Sequence, residues 1–271
     1  MGRRKRSKRG KCHICGLTTG LTFEHVPPRA AFNDRPVVLT NFEKAMEWSP
    51  GQELRGPIQQ KGAGAYTLFA RCNNNTGSWY GPQFVEWTYR GLEILIDSRG
   101  TPSLFHLHYV FPLAVIKQIV TMFFSVNSDV FGDKHPDLIQ FVLNRDARRL
   151  PHWCRIFTYL NTSPRLRNQS VAARGDFTTS QFFTFSESAF PPFGYVMTFD
   201  SDPPDDRLTE ITHFGEYSYG EFDVIGLRIP HLPIATSLPG DYRTEEEIQK
   251  TVEETEREMA KRDASQTGRT T

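Results

Sequence analysis

The chain has 271 residues, 38% of them hydrophobic and 13% aromatic, which is enough apolar material for one large core or two modest ones and excludes a disordered chain. The formal net charge is only +1, so charge as a whole does not argue for a nucleic-acid partner; its distribution does. The four cysteines, Cys12, Cys15, Cys72 and Cys154, include one pair too tight for an ordinary disulfide framework, which favours metal binding in a reducing compartment.

Residues 1 to 11 read as a flexible basic arm. Arg3-Arg4-Lys5-Arg6-Ser7-Lys8-Arg9-Gly10-Lys11 concentrates positive charge that can neutralise phosphates. No apolar run follows it, so it does not read as a signal peptide. Cys12-His13-Ile14-Cys15 comes next. Leu21 to Glu24 suits a short strand, and Thr22-Phe23-Glu24-His25-Val26-Pro27-Pro28 ends it in a proline break. Residues 41 to 64, with Pro50-Gly51 and Gly56-Pro57, read as a loop-rich insertion between two strands, the second being Ala65 to Phe69. Ala70-Arg71-Cys72-Asn73-Asn74-Asn75-Thr76-Gly77 should open a helix with Asn73 as its cap. Gly77 and Gly81-Pro82 predict that this helix is short and that a second, buried one runs from Phe84 to Ile96.

Beyond Gly100 the pattern changes. Leu104 to Val110 alternates like a strand, and Leu113 to Val126 and Pro136 to Leu143 read as helices. The stretch Val110 to Val126 is the most apolar, but it is short and holds Lys117 and Gln118, which predicts a buried helix and no membrane span. Short strands are expected at residues 155 to 160, 181 to 185, 194 to 199, 208 to 213 and 222 to 229. Residues 244 to 261 form a charged helix and the rest a polar tail. His106 and His108 share one strand face and have metal-binding spacing, although ordinary polarity is the commoner meaning of such a pair. Trp79, Tyr80, Trp87 and Tyr89 read as helical packing rather than base stacking, and Cys154 as a buried thiol.

Taken in order, Cys12-x-x-Cys15, Glu24-His25-x-Pro27 and Cys72-Asn73 resemble the HNH endonuclease family of the zinc-knuckle type, over about the first third of the chain. The resemblance implies an N-terminal ββα-metal core with a helical extension (residues 12–98), and the sequence pattern adds a mixed, mostly antiparallel β region with two or three helices (99–243) and then the charged helix and tail (244–271), an α+β fold overall. The resemblance also implies His25 as the base that activates water. Glu24 and Asn73, with Asn75 as the fallback, would hold a catalytic Mg²⁺ or Mn²⁺, and Cys12, Cys15 and Cys72 a structural Zn²⁺. Arg29 and Arg71 lie close to the motif and, with Arg4, Lys5 and Arg6, would meet the phosphates of a nucleic acid, DNA first. Such a histidine titrates near ~6.5, close to the working pH, and a hard cation on oxygen ligands neutralises the leaving oxygen.

Three departures from the family pattern stand out. Phe69 occupies the place of the fourth cysteine, leaving His13, Cys154 or no residue to complete the zinc site. Glu24 stands where Asp or His is usual. The middle Asn of the family name has no counterpart between residues 55 and 68. The resemblance implies a phosphodiester-hydrolysing enzyme, expected to be cytoplasmic, of a bacterial defence, restriction or mobile-element type. The region after residue 100 would serve a regulatory partner or self-association. A catalytically silent, zinc-stabilised nucleic-acid-binding module, or a regulatory or structural protein, is the alternative.

Overall fold

The computed structural model describes residues 8–41, 43–44, 55–99, 101, 103–176 and 181–267. The fold is α+β with antiparallel sheets. Strand β1 (Lys8–Lys11) pairs with β2 (Thr18–His25), which pairs with β5 (Gly64–Phe69) in a three-stranded sheet. Between them a two-residue ladder, β3 (Val37–Val38) with β4 (Ile58–Gln59), closes the connection. The end of the basic arm is thus ordered, because Lys8 to Lys11 lie in register with Leu21 to Thr18. Arg4, Lys5 and Arg6 fall outside the described residues, as does most of residues 42–54.

Helix α1 (Ala70–Ser98) leaves β5 without a loop. It is one helix of 29 residues where two are expected, and it begins before Asn73, which lies in its first turn rather than at its cap. Pro82 is tolerated because it sits on the water side, where the carbonyl it leaves unpaired belongs to exposed Ser78. The opposite face buries Tyr80, Phe84, Trp87 and Ile94, and that burial outweighs the local cost of glycine and proline.

Strand β6 (Ser103–Val110) pairs with β12 (Asp223–Pro230) as a ribbon. Helix α2 (Pro112–Val126) is buried on every side and packs against α1. Its Lys117 ammonium donates to the carbonyls of Phe141, Asn144 and Arg145, at the end of α4 (Pro136–Leu143), which follows the single turn α3 (Phe131–Lys134). A five-stranded antiparallel sheet runs β11-β7-β10-β9-β8, with β7 Cys154–Leu160, β8 Arg167–Asp176, β9 Gln181–Phe190, β10 Phe193–Phe199 and β11 Thr209–Glu210. The strand expected over 208–213 is shorter and passes into a 3-10 helix, Thr212–Glu216. Helix α5 (Glu245–Thr267) opens on a capping box: Glu247 N–H donates to Thr244 Oγ1, and Thr244 N–H donates to Glu247 Oε2.

One buried cluster runs from Cys12, Ile14 and Leu21 through Trp87 and α2 to Phe193 and Ile229, so the knuckle and the second region share a core. No helix among the described residues is long and apolar enough to cross a membrane.

Candidate metal centre and active site

The knuckle forms where β1 turns into β2. Cys12 N–H donates to the Leu17 carbonyl and Gly16 N–H to the Cys12 carbonyl, which closes the loop and brings Cys15 back over Cys12. Cys72 arrives from the first turn of α1. The three sulfurs lie within 4.8 Å of one another. A tetrahedral Zn²⁺ with Zn–S near ~2.3 Å spaces its sulfurs by less than that, so the three thiols fit a soft metal. The Cys72 thiol and the N–H groups of Phe69, Cys15 and Ile14 all address Cys12, and together they pull its thiol down to about 5 against the opposing effect of burial. Contact with Cys12 and burial push Cys72 up.

Phe69 lacks the sulfur its position calls for, yet its backbone N–H still meets Cys12 Sγ at 3.2 Å. Neither candidate for a fourth ligand joins the cluster: His13 Nδ1 donates to the Phe124 carbonyl at 2.9 Å, and Cys154 is buried elsewhere, its thiol raised by burial. The described cysteine set is therefore three thiols.

Glu24 and Asn73 meet between β2 and α1. Glu24 is buried, and burial pushes its carboxyl up to about 8, opposed only by a hydrogen bond from Asn73. No cationic side chain pairs with it among the described residues. The Asn73 amide has a determined orientation. Thr22 Oγ1 donates to the Leu68 carbonyl at 2.9 Å and therefore accepts from Asn73 Nδ2 at 3.0 Å. With Nδ2 directed at Thr22 and Glu24, Asn73 Oδ1 remains as a free oxygen ligand. A buried carboxylate without a counter-charge, beside a free amide oxygen, is a donor set suited to a hard divalent cation. Asn75 lies on another face of α1, where its carbonyl accepts from Ser78, and does not join this pair.

His25 follows Glu24 on an extended strand, so its side chain leaves from the other face. Its Nε2 is 2.9 Å from the Lys61 carbonyl, which can only accept, so Nε2 carries the proton and Nδ1 holds the lone pair. Burial lowers its pKa, and the charges of Arg29 and Lys61 lower it further against the hydrogen bond to Lys61, so the ring is neutral at neutral pH. Phe23 meets the imidazole edge-on at 4.9 Å. Arg29 and Arg71 are both exposed, Arg29 close enough to act on His25 and Arg71 beside Cys72 on the first turn of α1.

Three site residues escape sequence reasoning. Asn33 is buried and ties the two strand ends together: its Nδ2 donates to the carbonyls of Pro27 and Ala63, and its Oδ1 accepts from Ala63 N–H. It lies before β5's connection, at residue 33, while the expected brace lies between 55 and 68. Gly62, at φ +87°, lets this happen, because a Cβ there would stand 2.3 Å from the Asn33 carbonyl oxygen. Lys61 orients His25 through its carbonyl, and Thr22 orients Asn73. A side chain that works by bonding backbone has no spacing signature; the Asn33 amide alone, between proline breaks, carries a faint one.

His106 and His108 join no metal-binding group among the described residues. His108 is buried against Trp87, ring centroids 4.8 Å apart, and burial draws it down to about 4.

Comparison with known proteins returns nothing. No family model matches the chain, and no curated protein or solved structure matches it. The geometry of the site therefore carries the functional reading by itself.

Proposed function

We propose that this chain is a metal-dependent HNH-type endonuclease that hydrolyses phosphodiester bonds, in DNA first. The observation that carries the proposal is the buried Glu24 carboxyl, with no cationic partner among the described residues, held against the Asn73 amide, with a neutral, oriented histidine at the next position of the same strand end. A ββα order of β2, β5 and α1, with three thiols at its base, supports it.

A divalent cation held by Glu24 and Asn73 supplies charge neutralisation at the scissile phosphate and its leaving oxygen. The chain's own groups do the rest. His25 Nδ1 takes a proton from the attacking water, and the Lys61 carbonyl stabilises the imidazolium that results. Asn33 keeps the strand ends, and so His25 and Lys61, in register. Arg29 and Arg71 offer exposed cations for flanking phosphates, and Lys8 and Arg9 continue the positive charge along β1.

The second reading is a nucleic-acid-binding module without cleavage. The three-thiol cluster with Phe69 in the fourth place favours it, since a weakly held zinc would loosen the knuckle. Nicking of supercoiled plasmid by the purified chain with Mg²⁺ or Mn²⁺ separates the two. Nicking that EDTA and His25→Ala abolish supports the enzyme. Salt-sensitive DNA binding that survives His25→Ala, with no nicking by zinc-loaded folded protein, rejects it.

A further inference from the structure

The β6–β12 ribbon has one face in the core and one outside. Its inner residues, among them His108, Val110, Leu227 and Ile229, are buried. Alternation along the strands then sends Phe105, Leu107 and Tyr109 outward, opposite Arg228, Gly226 and Val224. In a half-buried ribbon that outer face is normally polar. Here Phe105, Leu107 and Tyr109 are 64%, 55% and 49% exposed, and Phe222 and Val224 are 52% and 42% exposed.

The face is also flat. Gly226 leaves a notch that the Phe105 ring fills, and a Cβ at 226 would stand 2.3 Å from its Cζ. At the other end Tyr109 stacks with Phe222, with ring centroids 6.4 Å apart, and Arg90 lies 5.6 Å from the Tyr109 centroid. Arg90 and Arg228 are therefore at opposite ends of an apolar strip.

We propose that this face is the interface of a two-fold dimer of the chain. The area decides between a copy and a chance patch. With ~150–250 Å² for a fully exposed aromatic side chain, the five residues leave roughly 500 Å² uncovered on each chain. Two such faces, when fully covered, remove at most about 1,000 Å² from water, the threshold for a specific association. The apolar middle of the strip, Leu107 beside Gly226 and Val224, complements itself about a two-fold axis. The proposal is independent of the nuclease reading.

Sedimentation velocity of the full chain from about 1 to about 100 µM, the range typical of so small an interface, tests it. The expected result is a shift from 31.1 kDa to twice that mass with concentration. Leu107→Lys with Val224→Lys should weaken association at least tenfold, as two buried charges do at an apolar interface, while Ile96→Lys, on the exposed side of α1, leaves it unchanged (roughly 1.4 kcal/mol per tenfold). Both positions are solvent-facing, so a thermal melt should match the wild type and exclude misfolding. A wild-type monomer over the whole range overturns the proposal. So does a dimer that the Leu107/Val224 variant keeps, or one that Ile96→Lys abolishes.

Discussion

Among the described residues two glutamates are buried, and their surroundings differ in kind. Glu187 on β9 is fully enclosed, and it is answered from every side: Arg167 Nη1 reaches both of its oxygens at 2.9 and 3.1 Å, Tyr159 donates to it at 2.8 Å and Gly240 N–H at 3.1 Å. Among the described residues Glu24 on β2 is met by the Asn73 amide alone, and burial pushes its carboxyl up to about 8. The first arrangement ties β8, β9 and the loop before α5 together. The second leaves a carboxyl whose ionised form is unfavourable in the folded chain without a counter-charge. Stability is built into one region and binding potential is held in the other.

The largest effect is expected from removing the partner of Glu187. Arg167→Met leaves a buried, uncompensated carboxylate and should cost about 3–5 kcal/mol in urea denaturation. A loss below ~1 kcal/mol would show that the pair is not structural.

The same experiment at Glu24 should run the other way. Its folded pKa of about 8 lies above the unfolded value near ~4.3, so the metal-free folded chain holds the extra proton between the two. Stability conferred below ~4.3 is therefore lost as pH rises toward 8. In EDTA, Glu24→Gln should remove that slope and be more stable than wild type by roughly 2–4 kcal/mol at the upper end. Parallel pH profiles for the two proteins would contradict the assignment. Adding Mn²⁺ at ~100 times its dissociation constant should then stabilise wild type by about 2.7 kcal/mol and leave Glu24→Gln unmoved in a thermal melt. The smallest effect belongs to the surface: Thr244→Ala breaks the capping box of α5 and should cost about 0.5–1 kcal/mol, seen as fraying in hydrogen exchange, without touching either glutamate.

The parts of the site that were legible in the sequence are those whose chemistry is local. Cys12 and Cys15, Glu24 and His25, and Cys72 and Asn73 are adjacent or nearly so, and the structure brings the three thiols together and Glu24 against Asn73. Asn33, Lys61 and Thr22 were not legible, because Asn33 bonds backbone across the strand ends, Lys61 acts through its own carbonyl on His25, and Thr22 orients the Asn73 amide from β2, and no spacing records that. The fold shows the same division. The apolar runs of α2 and β10 identify themselves, whereas β8, with Arg167-Asn168-Gln169-Ser170, shows no strand alternation and is held by its pairing with β9. In α1 the local signals at Gly77, Gly81 and Pro82 predict a break, but the burial of Tyr80, Phe84 and Trp87, on a single face, overrides them.

Manganese binding followed by electron paramagnetic resonance reads the Glu24 site whether or not the chain cleaves DNA. The account predicts one bound Mn²⁺ per wild-type chain at neutral pH, lost in Glu24→Gln and weakened at least about tenfold in Asn73→Ala, with zinc content unchanged in both. Equal Mn²⁺ binding by Glu24→Gln, or none by folded wild type, would contradict it.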